Sequence, residues 1–188
     1  MKGLSLRKKF TIFSSVVVII CIFVTAFVCL WQVKKDMLRQ VGVALNEEIK
    51  VFWEILLSKD GGLSNSTSAL QERIKTTNIS IQDNKLLIGF YALNDDTQLV
   101  DKMNQIFHGT TGVYMNDTLI SASVSRKDGK RHTGTKLQTH IYDTVIKNSK
   151  SFRGELDIDG ETHFTAFEPI KNKEGQTVGA LFVGIPKN

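Results

Sequence analysis

Six side chains able to carry positive charge fall within eleven positions: Arg126, Lys127, Lys130, Arg131, His132 and Lys136, opposed only by Asp128. That density of donors suits an anion-binding loop or a solvated loop equally, and composition leaves both open. Nothing else among the 188 residues groups side chains for catalysis. His108, His132, His140 and His163 are scattered along the chain. There is no Gly-rich phosphate loop, no nucleophile elbow and no His-Glu-x-x-His zinc spacing. Asp157 and Asp159 bracket a turn and read as turn chemistry. The expectation is a protein that binds rather than transforms: not an enzyme, and without metal or cofactor.

The charge is uneven. The chain carries 24 Lys and Arg against 19 Asp and Glu, but Lys2, Arg7, Lys8 and Lys9 precede residue 10 and no acid does. The rest is almost balanced, which argues against nucleic acid as a partner. Thr11–Leu30 is an apolar run of twenty residues. At ~1.5 Å per residue it reaches about 30 Å, the hydrocarbon thickness of a bilayer. Trp31 stands where an interfacial aromatic belongs. The positive-inside bias then makes 1–9 a cytoplasmic tail and 10–31 a single membrane span, with everything after it outside. A cleaved signal ending near Val24-Thr25-Ala26 is the alternative, but the run continues through Phe27-Val28-Cys29-Leu30. Both cysteines, Cys21 and Cys29, lie inside the run, so the exterior part has no disulfide and folds on its core alone.

Residues 32–60 read as a long juxtamembrane helix. Leu38, Val41, Leu45, Ile49, Phe52 and Leu56 recur at steps of three and four, and Asp60-Gly61-Gly62 ends the pattern. That stripe suits a sheet or a second copy of itself, hence an expected homodimer. Residues 61–188 read as one folded domain. A polar stretch, Leu63–Asn78, contains a short helix over Ala69–Lys75. Leu86–Leu93 reads as a strand and Asn94-Asp95-Asp96 as a helix start before Leu99, Met103 and Ile106. Gly112–Met115 and Thr118–Ser125 read as strands around Asn116-Asp117. After the Arg126–Thr135 loop and a helix over Thr139–Lys147 come three strands, Phe152–Ile158, Glu161–Ile170 and Thr177–Ile185, the first two joined by Asp159-Gly160. The fold class is α+β, an antiparallel sheet of about five strands covered by a long helix.

This order of elements resembles the single Cache domain, the PAS-like extracytoplasmic sensor of bacterial chemoreceptors and sensor histidine kinases. The pieces are Leu93-Asn94 before Leu99-Val100-Asp101-Lys102, Gly112-Val113-Tyr114, Asp117-Thr118-Leu119-Ile120-Ser121, and Asp128-Gly129-Lys130-Arg131 running into Gly134-Thr135. They continue with Phe152-Arg153-Gly154, Phe164–Ile170 and Val178–Pro186. The resemblance implies a small-ligand pocket on the far face of the sheet and its connecting loops. Within it, His163, Thr165 and Phe167 share one strand face, and Ser121, Ser123, Tyr114, Arg131 and Arg153 complete a polar set. Arg131 is the strongest candidate, because a guanidinium grips a carboxylate through two parallel hydrogen bonds. His132 beside it would add pH sensitivity. The similar citrate and dicarboxylate sensors carry an arginine where this sequence has Thr165. That departure points toward a monocarboxylate, an amino acid or a largely uncharged molecule.

Chemoreceptors of this kind continue into a second span and a cytoplasmic signalling segment, whereas this sequence ends at Asn188. The expectation is that a signal passes to another membrane protein, such as a full-length receptor or kinase, or that the chain is a remnant of a receptor. A pilin or pseudopilin shares the outline of an apolar helix before a sheet. Pilins place a glycine before Phe-Thr and a glutamate five residues in; here Lys9 precedes Phe10-Thr11 and Ser14 holds the acid's place.

Overall fold

The computed structural model describes residues 6–59, 66–123 and 129–187, and within these not the side chains of 6–16, 34, 37, 38 and 67. Contacts separate two units, Met1–Val41 and Gly42–Asn188. In the first unit the described residues belong to helix α1 (Leu6–Ser58), whose sequence up to Val41 contains no glycine or proline. Phe23, Phe27, Leu30, Trp31 and Val33 are largely exposed there. The expected span over 10–31 begins among side chains outside the described set, those of 10–16. Among the described residues no helix is long and apolar enough to cross a membrane.

In the second unit, α1 buries Leu45, Ile49, Phe52 and Leu56, four of the six residues of the expected stripe, together with Trp53 and Leu57, while Val41 is half-buried and the Leu38 side chain lies outside the described set. Its expected stop, Asp60-Gly61-Gly62, lies outside the described residues. Helix α2 (Thr67–Thr76) starts at Ser66, whose hydroxyl accepts from the Ala69 amide. Arg73 of α2 donates to the Leu57 carbonyl oxygen at 3.1 Å, satisfying an acceptor that the end of α1 leaves without a helical partner.

The strand expected over Leu86–Leu93 is a correction. Gly89 takes φ 59° and folds the chain back, so Ile88 pairs with Tyr91 across a tight turn. The result is a separate three-stranded antiparallel sheet of β1 (Ile79–Gln82), β2 (Lys85–Ile88) and β3 (Tyr91–Ala92). Its first hairpin turns through Asp83 and Asn84, both at positive φ, which Asp and Asn tolerate better than other side chains.

Asp96 caps helix α3 (Thr97–Phe107) by accepting from the Leu99 amide at 3.1 Å. The main sheet contains β4 (Thr110–Met115), β5 (Thr118–Ala122), β6 (Phe152–Ile158), β7 (Glu161–Lys171) and β8 (Thr177–Pro186). Their spatial order is β5-β4-β8-β7-β6, all antiparallel. The fold is α+β as expected, with two sheets rather than one. β5 stops at Ala122, short of the expected Ser125, and Val124 and Ser125 lie outside the described residues. The expected helix over Thr139–Lys147 is a single α-helical turn, α4 (Thr139–Tyr142), followed by a π-helical turn over Asp143–Lys147.

Strand alternation sorts the main sheet into two faces. Val113, Ala166, Ile170, Leu181 and Val183 are buried on one. Helix α3 lies beside β4, where the Thr111 hydroxyl donates to the Val100 carbonyl oxygen at 2.9 Å. The other face carries Tyr114, Leu119, Phe167, Ala180 and Phe182, packed with Ile141 of α4 and Val145 of the π-helical turn.

One buried acid on α1 has no compensation. Burial pushes the Glu48 carboxyl up to about 7 from 4.5, and its Oε2 has no hydrogen-bond partner among the described residues. The folded chain holds this proton where the unfolded chain has released it, so stability falls as pH rises from about 4.5 through about 7. Glu48→Gln should remove that slope and stabilise the protein at pH 8 by on the order of 1 kcal/mol, with little change at pH 4. Thermal melts of the full chain at the two pH values check this, and a variant with the parental slope contradicts it.

Candidate functional site

Three neighbouring strands lay an aromatic floor. Phe167 of β7 stands opposite Phe182 of β8, with ring centroids 4.8 Å apart. Tyr114 of β4 lies 5.9 Å from Phe167 and 6.5 Å from Phe182. Phe152 of β6 pairs with Phe167 at 6.0 Å and extends the packing toward the sheet edge. Above the floor stand Leu137 and Ile141, and Leu156 and Ile158 of β6 form a wall. They enclose a cavity of about 200 Å³. Since about 150 Å³ admits benzene, this space suits a compact molecule slightly larger than one ring.

The rim is polar, with His132, Thr135, Lys136 and Gln138 on one side and Asp157 and Asp159 on the other. Its first side is held by backbone pairing along the outer edge of β5. The Gly134 amide donates to the Leu119 carbonyl, the Leu119 amide to the Thr135 carbonyl, and the Leu137 amide to the Asp117 carbonyl, each at 2.8 Å. Lys136 reaches Asp117 at 2.6 Å, and together with the Thr118 hydroxyl it holds that carboxyl below the usual carboxylate range. The second side is the β6–β7 turn, where Asp159 and Gly160 both take positive φ, as expected of Asp-Gly. Asp157 accepts from the Gly160 amide at 2.9 Å, the turn chemistry expected of it. Asp159 then meets His132 Nε2 at 2.7 Å, joining the two sides across the rim.

Two of the eight residues nominated from sequence, Tyr114 and Phe167, line the cavity. The Tyr114 hydroxyl has no hydrogen-bond partner among the described residues, and burial pushes it up to about 12. It therefore stays a neutral donor at any physiological pH. The other six are engaged elsewhere. Thr165 is fully buried and donates to the Gly154 carbonyl oxygen at 2.8 Å. His163 bonds through Nδ1 to the Glu161 carbonyl oxygen at 2.9 Å. Ser121 donates to the Asp96 carbonyl oxygen, and Ser123 accepts from the Thr111 amide. Arg153 holds Asn46 of α1 at 2.9 and 3.2 Å and donates to the Phe167 carbonyl oxygen at 3.2 Å.

Arg131 grips a carboxylate in the manner expected of it, but the carboxylate belongs to the protein. Nη1 and Nη2 each bond one oxygen of Asp101 on α3 at 2.7 Å, and Nη1 also donates to the Ala122 carbonyl oxygen at 2.7 Å. The hydrogen bonds to Asp101 hold the guanidinium above its ordinary value. Its neighbour His132, one step along an extended segment, faces the cavity instead. Residues that sequence reasoning passed over, Phe182, Leu156 and Ile158, carried the same alternation signal as Phe167. The His132–Asp159 pair spans 27 residues of sequence and left no local trace.

Arg131→Ala should destabilise the fold by about 1–2 kcal/mol, Asp101→Asn by a similar amount, and the double variant by less than the sum. Arg131→Lys should recover only part of the loss, because an ammonium lacks the two-pronged geometry. Chemical denaturation of the full chain measures all four; strict additivity would show that the pair is not coupled.

Comparison with known proteins agrees with this architecture. No curated protein matches the chain. The family described as single cache domain 3 matches residues 91–188, from β3 through the end of the main sheet. Domains of this kind are generally extracytoplasmic and sense small molecules. With more than half its length covered, the chain belongs to the single Cache domain family.

Proposed function

We propose that this chain is the ligand-sensing part of a membrane-anchored receptor of chemoreceptor type, a non-enzymatic binder that passes its signal to a partner. The observation that carries this reading is the cavity of about 200 Å³ over the aromatic floor. Its walls come from both the sheet and the segment 131–141, so an occupant would touch both. An organic acid or amino acid would have to leave its charge at that rim, because Arg131 is turned to Asp101. Arg153 supports a route outward: it binds the backbone of Phe167 on the floor and the side chain of Asn46 on α1. Pairing of α1 with its counterpart in a second copy, or with a full-length receptor or kinase, would receive that movement.

The anchor is supported by the largely exposed apolar side chains of Phe23, Phe27, Leu30 and Val33. Thr25, the polar exception among them, donates its hydroxyl back to the Cys21 carbonyl oxygen at 2.9 Å, as a hydroxyl in hydrocarbon must. The chain should stay in the membrane fraction through an alkaline carbonate wash, and deletion of 10–31 should release it. Release of the intact chain would remove the anchor from this reading.

Ligand binding is tested by thermal shift of the full chain in detergent against organic acids, amino acids and neutral metabolites. A ligand at one hundred times its Kd stabilises the fold by about 2.7 kcal/mol. Leu137→Trp, which places an indole in the cavity from a half-buried loop position, should abolish the shift while the protein still melts cooperatively. A shift undiminished in that variant would move the ligand site elsewhere.

A further inference from the structure

The charged side chains around the cavity are paired within the protein, apart from Asp157 at the rim. His132 pairs with Asp159 at 2.7 Å and Lys136 with Asp117 at 2.6 Å. Arg131 is bound on both prongs to Asp101. Asp157, the remaining charge at the rim, accepts from the Gly160 amide at 2.9 Å in the β6–β7 turn. A ligand that brought a full charge onto the aromatic floor would lose its hydration and find no unmatched countercharge there.

What the interior does offer is apolar area and one donor that no described protein group engages. Phe167, Phe182, Leu156, Ile158 and Ile141 supply the area. The Tyr114 hydroxyl, on a residue only 7% exposed, lines the same space without a hydrogen-bond partner among the described residues. The hydroxyl is not sealed off: it reaches the open space of the cavity, where a bound acceptor would take its proton in place of solvent. Phe167 and Phe182, inclined by 32°, present ring carbons rather than polar groups to the space, which suits an apolar occupant.

We propose that the cavity takes a small molecule without net charge, built on one planar, largely apolar ring and bearing a single hydrogen-bond acceptor that the Tyr114 hydroxyl holds. This rests on the cavity being the ligand site and adds the chemistry of the occupant. The segment 131–137 and the His132–Asp159 pair then exclude ions by being self-neutral rather than attracting them.

The experiment is a ligand-observed NMR titration of the full chain in detergent at pH 7 with benzamide, benzoate, benzylamine and toluene, probes of similar size that differ in charge and acceptor. Benzamide should bind at least tenfold more tightly than benzoate or benzylamine. Tyr114→Phe, which removes one oxygen and keeps the ring packing, should weaken benzamide by roughly two- to tenfold and leave toluene unchanged. Toluene against benzamide on the parent protein reads the same hydrogen bond without a variant. If benzoate or benzylamine binds more tightly and is lost in Leu137→Trp, the neutral-ring assignment is overturned while the cavity remains the ligand site. If benzamide binding is the same in Tyr114→Phe, the role of the hydroxyl is overturned. If no probe binds, or binding survives Leu137→Trp, the assignment falls together with the cavity reading.

Discussion

The closure of residues 131–137 onto the outer edge of β5 turns a sheet face into a cavity. Without the hydrogen bonds from Gly134 to the Leu119 carbonyl, from Leu137 to the Asp117 carbonyl just before β5, and from the Leu119 amide to Thr135, the aromatic face of β4, β8 and β7 would be an open hydrophobic surface. Such a surface would draw solvent-averse contacts indiscriminately. With them, the same face is roofed by Leu137 and Ile141 and keeps a bounded space. The bidentate contact of Arg131 with Asp101 fixes where this segment starts, because it joins α3 to the Ala122 carbonyl at the end of β5.

The division of labour between Arg131 and His132 follows from extended backbone geometry. Consecutive side chains of an extended segment point to opposite sides. One therefore turns to α3 and the other to the cavity, although both belong to one basic cluster in sequence. The same alternation along β6 sends Phe152, Leu156 and Ile158 inward and leaves Asp157 to the turn. The polar strand residues follow a further rule. Ser121, Thr165 and His163 are buried, and their polar atoms bond to backbone carbonyls within reach rather than wait for a ligand.

The helical stripe of Leu45, Ile49, Phe52 and Leu56 was legible because its period is local and its burial follows from it. So were the Asp159-Gly160 hairpin and the Asp96 cap, each fixed by the conformational preference of one or two residues. The split of the Leu86–Leu93 region was not. A run of apolar residues reads as one strand, and only the positive φ at Gly89 divides it. The π-helical turn after Tyr142 was hidden for a similar reason, since its sequence Asp143–Lys147 fits an α-helical pattern equally well. Of the nominated residues, Tyr114 and Phe167 line the cavity, whereas Arg131 makes its two-pronged contact with Asp101 of the protein itself.

By itself, the sequence determined the α+β class, the order of the main elements, the family, and which residues of each strand face the same way. These are properties of spacing and local conformation, which a chain carries before it folds. The tertiary structure alone decided which charges are matched and where space remains. Asp101 meets Arg131 across 30 positions and Asp159 meets His132 across 27, and only the folded chain brings them together. The cavity is a remainder, left where Tyr114, Phe167, Phe182, Leu137 and Ile141 do not quite fill the gap between sheet and roof. No single residue encodes that gap, because a volume depends on all its walls at once.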